Sequence, residues 1–547
     1  MRRDDPVSRR EFVQHTAAGA LGLAVAGGAV ATAADEEQVG VIRGEPTAEK
    51  VGLQVLASGG NAIDAAVAAA LAAAVVAPHQ TGIGGYGGHM TLALAGTGRI
   101  ASIDFNSAAP AAATSDMYPL DASGKVAGQA NMYGWRAAGV PGILAGLELA
   151  LKRFGTKPFR EIVQPAINLA RDGFPFSAAA AAARASAKQL GADPGSAALY
   201  LRDGKPLAAT DHYSNPDLAK LLESLASDNS VESFYRGDIA QRIAAAFKAD
   251  GGLVTAADMA VYQAREVQPL SLAWNDWTIH TASLTAGGTT MLQAIRILQR
   301  LKWADRDPAA ADTLQLQVEA FRYAWQDRLQ FFGDPNHADV PLDRLLGDAH
   351  AKAAAEEIER AVAAKQPLPV RTTTRPDQGT ISLSACDRQG NLVAVTLTHG
   401  GSFGARVTVP GLGLTLGHGM SRFDPHAGHP NAPGPGKRPL NNMCPTIIAQ
   451  SGKPRFAVGA RGGRKIPNTV AEVLLQIVAR GKDLAAAVTA PRLHTEGQLA
   501  LSFEKDWPAA QSAALKDRGY TVTTAASATV SAVGLVDSAG RFVSAMR

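Results

Sequence analysis

The sequence predicts a mixed α/β protein, helix-rich for its first two thirds and strand-rich beyond. Three observations carry this. Alanine-rich segments with helical apolar spacing recur from about residue 46 to residue 360; at Thr380 the pattern switches to alternation of polar and apolar residues; strand and helix patterns then interleave to the end. With 547 residues, 46% of them apolar, the chain has ample material for a large buried core.

At the start of the chain, Ser8-Arg9-Arg10-Glu11-Phe12 precedes an Ala/Gly-rich stretch from Thr16 to Val30, and Ala31-Thr32-Ala33 follows as a small-residue cleavage site. Residues 1–33 therefore read as a twin-arginine export signal, too short and too weakly apolar for an anchor. The expected location is periplasmic or secreted, with membrane contact only during export. Apolar residues then recur at helical spacing from Pro46 to about Leu56, stopped by Gly59-Gly60. Asn61-Ala62-Ile63-Asp64 opens a second, alanine-rich helix running to Val76, which Pro78 ends; its small side chains imply close packing. The glycine-dense loop Thr81 to Gly88 leads into an apolar strand at Met90 to Leu94. Without a Lys-Ser/Thr ending, a phosphate-cradling role is weak.

Residues 140–360 read mainly as helix, including Gly142 to Lys152, Ile239 to Lys248 and Ala311 to Leu329. Arg371 to Arg375, with three threonines, is a polar segment unable to hold a helix. Thr380 to Cys386 and Asn391 to Thr398 alternate around the turn Asp387-Arg388-Gln389-Gly390, which makes a hairpin. Arg455 to Gly459 is a strand running into Gly462-Gly463, and Asn468 is the expected N-cap of a helix to Arg480. Strands near 499–503, 520–523, 529–536 and 541–545, around one helix, complete the chain.

The net charge of +4 is small for this length and the basic residues are scattered, so no nucleic-acid partner is expected. Two cysteines, Cys386 and Cys444, are too few for a disulfide framework and read as buried apolar residues. His418, His426 and His429 lie close together in a Pro/Gly-rich stretch that reads as a loop, without metal-ligand spacing.

Four separated segments resemble the gamma-glutamyltranspeptidase family in order and spacing. They are Gly59 to Ala66 with the glycine loop to Gly88; Asp334-Pro335 beyond the helix containing Tyr323; Thr380 to Gly404; and Lys437-Arg438-Pro439-Leu440 through Met443, Pro445 and Thr446 to Gly462-Gly463. The resemblance implies a four-layer αββα N-terminal nucleophile hydrolase, cut by itself between Gly379 and Thr380. The domain scheme it implies is an export signal 1–33, a large subunit 34–379 and a small subunit 380–547, which stay together as one catalytic domain. Thr380 is then the nucleophile, and its freed α-amine, with an ordinary pKa near 8, is suited to take the hydroxyl proton. Thr398 matches the second threonine that assists autocleavage, and Gly462 and Gly463 match an oxyanion hole built from backbone N–H groups. No metal or organic cofactor is implied, and the partner is a small-molecule or peptide amide substrate.

The family's recognition residues for a γ-glutamyl group are mostly replaced. Asn106 stands where an arginine for the α-carboxylate is usual, Gly400 where asparagine is, Gly419 where glutamine is, and Arg422 where an aspartate pairs with the α-amine. Asn441-Asn442 replace a serine pair but can still donate hydrogen bonds. A cation in place of an anion reverses the sign of the interaction with an α-ammonium group. Arg422, with Arg461, Arg464 or Lys465, is expected to favour an acyl group that ends in a carboxylate and lacks the amine. Two alternatives stand open: transpeptidation of glutathione-like substrates through a rearranged pocket, and an exported, catalytically inert homologue that binds a ligand or partner.

Overall fold

The computed structural model describes residues 39–371, 380–535 and 541–547. The export-signal reading, the residues 372–379 that include Gly379, and the end of the 529–536 strand expectation lie outside the described residues.

Twelve strands form two six-stranded sheets. In chain order they are β1 (Gly40–Arg43), β2 (Gly87–Leu94), β3 (Arg99–Asp104), β4 (Arg265–Val267), β5 (Leu270–Trp274), β6 (Trp277–Thr281), β7 (Ile381–Asp387), β8 (Leu392–Thr398), β9 (Thr446–Gln450), β10 (Lys453–Arg461), β11 (Thr529–Leu535) and β12 (Phe542–Met546). The first sheet has the order β1-β7-β8-β2-β3-β4 and the second β12-β11-β10-β9-β6-β5, both antiparallel throughout.

Period-2 alternation decides what each strand face touches. Along β7, Ile381, Leu383 and Ala385 face a core shared with helices α1 (Pro46–Ala57), α2 (Ala62–Val76) and α3 (Ile143–Phe154). Cys386 on the opposite face joins Leu392, Ala394, Ala457 and Val533 in a thinner core between the sheets. The second sheet buries Val458, Ala460, Val530 and Ala532 against α4 (Gly288–Arg300), α5 (Ala311–Phe331) and α6 (Ile466–Val478). The layers are therefore helix, sheet, sheet, helix. Polar contacts also cross between the sheets: Ser384 Oγ donates to Ser531 O at 3.0 Å, and Thr91 Oγ1 to Pro445 O at 2.9 Å.

The expected helices are present with sound local causes. Asn61 caps α2 through a capping box with Asp64, and every residue of α2 is buried, as its small side chains require. The Asp64 carboxylate also accepts from the backbone N–H groups of Thr156 and Lys157, which ties α2 to the end of α3. The stretch 140–360 is mainly helical, as expected, and also holds a hairpin that the sequence reading did not single out: Leu270–Trp274 and Trp277–Thr281 pair at the edge of the second sheet around Asn275, which has the positive φ of a turn residue (54°). One expectation needs correction. Asn468 is not an N-cap, because α6 starts earlier, at Ile466, with Pro467 in its first turn. Its amide instead accepts from Trp325 Nε1 at 2.8 Å and donates to Thr495 O at 2.8 Å. Both cysteines are buried and free.

Candidate active site

Thr380 immediately precedes β7, and Thr398 ends β8. Since Ile381 pairs with Leu397, the hairpin register sets the two threonines opposite one another. Both fall on the even-numbered face, the one turned toward the second sheet. Both are buried, and Thr380 Oγ1 donates to Thr398 Oγ1 at 3.4 Å, a long contact of the kind that tightens when a reaction is under way. Thr398 Oγ1 in turn accepts from Gly400 N at 2.7 Å, which fixes its orientation. The glycine loop closes the same end of the sheet: Tyr86 N donates to Thr398 O at 3.0 Å, and Gly87 pairs with Thr398 across the β8–β2 seam.

The glycine pair sits at the end of β10 in the facing sheet. Gly462 has φ 145° and ψ 31°, where a side chain is strained, and an added Cβ would lie 2.8 Å from the Ala528 Cβ. Gly463 (φ 63°) then begins a short turn of 3-10 helix that runs directly into α6. The sheets are in close contact between these two features: an atom in the Cβ position of Gly459 would be 2.3 Å from Ser382 Oγ. Two steps along β7 from Thr380 and three along β10 from Gly462, the facing strands are in direct contact.

All four cations expected to grip the acyl group have partners within the protein. Arg461 Nη1 donates to Gln80 Oε1 at 2.9 Å; Arg464 pairs with Glu496 at 3.2 Å and lies over the Trp325 ring; Lys465 Nζ donates to Ala526 O. Arg422 ends a short turn, Gly419–Arg422, and its Nη2 donates to Gly400 O at 2.5 Å. That places it one residue-to-residue contact from Thr398. Gly419 is packed so tightly that a Cβ there would lie 2.3 Å from Ser107 Oγ and 3.0 Å from the Tyr86 Cβ, so no glutamine fits beside these neighbours.

The asparagines divide. Asn106 is fully buried; its Nδ2 donates to Thr285 Oγ1 at 2.7 Å and Pro439 O at 2.6 Å, while its Oδ1 is buried without a partner among the described residues. Asn441, expected to donate to substrate, instead presents its Nδ2 to His89 Nε2 at 2.9 Å and its Oδ1 to Met443 N at 3.1 Å. Asn442 lies nearer the surface, with its Oδ1 accepting from Arg328 Nη2 at 3.2 Å. Behind Asn441, burial alone would raise the Asp104 carboxyl, but the Arg438 guanidinium at 2.6 Å, helped by His89 and the Asn106 N–H, holds it below the usual range. Asp334, from the second motif segment, accepts from Arg438 N at 2.9 Å and so joins that segment to the fourth.

Sequence reasoning missed the histidines at this end. Burial, with Arg461 nearby, lowers His79 to about 4. Burial, with His79, lowers His399 to about 3, and neither of its ring nitrogens has a partner among the described residues. Their neighbours in sequence, Pro78 and Thr398, drew attention, but nothing in the pattern distinguishes these rings from ordinary core residues.

The described residues thus bring together a hydroxyl pair and a glycine turn on facing strand ends, which is an arrangement able to carry acyl transfer. The sequence profile described as Gamma-glutamyltranspeptidase matches residues 48–546. A glutathione hydrolase proenzyme of Escherichia coli (strain K12) is 36% identical over 468 residues, covering 82% of this chain and 80% of that protein. An acylase ACY 1 proenzyme of Pseudomonas sp. (strain SE83) is 34% identical over 492 residues, covering 88% and 87%. The crystal structure of a cephalosporin acylase from Bacillus halodurans superposes with a TM-score of 0.82 over 95% of this chain and 94% of that one, at 24% identity, a likeness of fold.

Proposed function

The chain belongs to the gamma-glutamyltranspeptidase family, and on that premise we propose that it is an exported, self-cleaving threonine amidohydrolase whose acyl site takes a side chain ending in a carboxylate and lacking an α-ammonium group. The Thr380–Thr398 hydroxyl pair, at the start of a strand whose next residues, Ile381 and Ser382, share a cavity with Arg461 just before the Gly462-Gly463 turn, is the observation that carries the chemistry. Cleavage before Thr380 gives the nucleophile its own base. The Thr380 hydroxyl adds to the substrate carbonyl as its proton passes to the α-amine, and the backbone N–H groups of Gly462 and Gly463 receive the developing oxyanion. The protonated amine then donates to the leaving nitrogen, and water or an acceptor amine removes the acyl group from the threonine ester. Two relatives named as proenzymes support the self-cleavage.

A chain cut there remains one body. The seams β1–β7, β2–β8 and β6–β9 each pair a strand from before Thr380 with one from after it, in both sheets. With enzymes on every side of the comparison and the hydroxyl pair in place, the inert-homologue alternative is set aside. Among the described residues no helix is long and apolar enough to cross a membrane; export rests on the pattern of residues 1–33.

The preference for a carboxylate end rests on Arg422, whose positive charge lies beside the Thr398–Gly400 corner. No arginine stands at position 106 to hold an α-carboxylate. The test is a pair of anilides differing only in the α-amine, glutaryl and γ-glutamyl. We expect the glutaryl compound to be preferred by about tenfold or more, and Arg422→Asp to reverse the order, since one reversed charge contact of about 1–3 kcal/mol is worth that much. Stronger turnover of the γ-glutamyl anilide by the wild-type protein, lost in Arg422→Asp, would establish the glutathione-type reading instead.

A further inference from the structure

A single side chain spans the two sheets at the end that carries the site. Gln80 lies between α2 and the glycine loop. Its Oε1 accepts from Arg461 Nη1 at 2.9 Å, its Nε2 meets His79 Nε2 at 2.9 Å, and its backbone oxygen accepts from His399 N at 2.9 Å. The Arg461 guanidinium can only donate, so it orients Gln80 with Oε1 toward it and Nε2 toward His79, whose ring burial keeps neutral above pH 5 and able to accept at Nε2 in its Nδ1–H tautomer. His399 directly follows Thr398, and Arg461 directly precedes Gly462. His79 adds a second tie to the same corner, because its backbone oxygen accepts from Phe403 N at 3.2 Å.

Arg461 fills the inter-sheet face at the end of β10, where it lines a small cavity with Glu45, Ile381 and Ser382. Glu45 adds a favourable field at the guanidinium. The turn at Gly462 has no side chain of its own to hold it, so its position depends on the residues at either edge. On one edge Arg464 pairs with Glu496 and Lys465 is tied to Ala526; on the other, the backbone of Arg461 pairs with Thr529 in the β10–β11 ladder and its side chain is tied to Gln80.

We propose that Gln80 is a positioning residue for acyl transfer, one that clasps the oxyanion turn through Arg461 to the Thr398 corner and so fixes the distance between nucleophile and oxyanion donors. The inference rests on the reading of Thr380 as nucleophile and Gly462-Gly463 as oxyanion hole. Displacing a preorganised donor by about 1 Å costs up to roughly 100-fold in rate. Loss of the clasp acts on the transition state, where the oxyanion exists, and leaves ground-state binding in place.

The test compares Gln80→Leu, Gln80→Glu, Arg461→Met and the double variant Gln80→Leu/Arg461→Met, with rates per cut chain on whichever anilide the wild-type protein turns over. In Gln80→Leu, kcat falls about 10- to 100-fold while KM stays within about twofold. Gln80→Glu keeps an oxygen for the guanidinium, and His79, whose Nδ1 has no partner among the described residues, can take its Nε2–H tautomer to donate to the other oxygen, so kcat returns to within about threefold of wild type. Arg461→Met matches Gln80→Leu, and the double variant is no slower than the slower single, as expected for two ends of one contact. Full activity of Gln80→Leu, multiplicative losses in the double, or a Gln80→Glu variant as slow as Gln80→Leu overturns the proposal. Thr380→Ala, run in parallel, separates the premises: an active Thr380→Ala protein defeats the nucleophile reading, whereas an inactive one beside a fully active Gln80→Leu defeats the clasp alone.

Discussion

Gly459→Ala tests whether the spacing of the two sheets sets the chemistry. A methyl group at that position meets Ser382 Oγ at 2.3 Å, and the next atom, the Ser382 Cβ, at 3.7 Å. Ordinary contact needs a separation greater by about 1 Å or more, so the serine must rotate or the sheets must part. Rotation breaks the Ser382–Ser531 hydroxyl contact at 3.2 Å, worth about 1 kcal/mol; parting the sheets overpacks the interior at about 1–3 kcal/mol. The same movement separates Thr380 from the glycine turn, with a rate loss of up to about 100-fold. Ser382→Ala alone removes the hydroxyl contact and costs about 1 kcal/mol. In the double variant the new methyl meets the β-carbon at 3.7 Å and Ser531 Oγ at 3.8 Å, both ordinary contacts, so it should be no less stable than Ser382→Ala and should recover most of the activity. The assays are urea denaturation of the uncut Thr380→Ala background and kcat of the cut enzyme. A double variant as impaired as Gly459→Ala, or additive losses, refutes the contact as the cause.

Two further outcomes follow from the same geometry. Thr398→Val leaves both Thr380 Oγ1 and Gly400 N without their partner and should slow self-cleavage by about 100-fold, while Thr398→Ser stays near wild type; a time course on denaturing gels reads both. His399 is depressed to about 3 in the fold, against about 6.5 for the unfolded chain, so the unfolded state takes up the extra proton and stability is full above pH 6.5 and declines as the pH falls. Between pH 8 and pH 5 the loss is about 2 kcal/mol. In the uncut background, His399→Phe should be as stable as its parent at pH 8, because no ring nitrogen loses a partner, and should lack that share of the acid decline. An unchanged decline would assign the acid sensitivity to other groups.

The features legible in the sequence are those with short-range causes. The Thr380–Thr398 hairpin announces itself by alternation and by its turn, and alternation also sets which face both threonines take. Asn61 and Asp64 spell out a capping box within four residues. The hairpin at 270–281 was hidden in a helical run because its strands are five residues each and their faces are mixed in polarity. Asn468 looks like a cap by residue type, yet its use depends on Trp325 and Thr495, which only tertiary packing brings near. Charges misled for the same reason. Arg461, Arg464 and Lys465 stand beside the glycine pair in sequence, but their partners are Gln80, Glu496 and Ala526, and Gln80 is 381 residues away. A cation's position along the chain shows that it is present and leaves open which group it faces.

The proposed placement of the cut, before Thr380, follows from how the sheets are shared. Thr380 lies at the first residue before β7, a strand hydrogen-bonded on both sides, to β1 and to β8. Freeing its amine therefore removes one covalent bond without removing a strand pairing, and Ile381, Leu383 and Ala385 remain locked in the helix-facing core. The new terminus can gain a proton acceptor while its hydroxyl keeps the position fixed by the β7–β8 register. Had the same threonine stood within a loop, the break would release the nucleophile along with its terminus, and the entropy of holding it would have to be recovered at each turnover. A rigid strand start is thus the site where scission creates a base at the least cost in order.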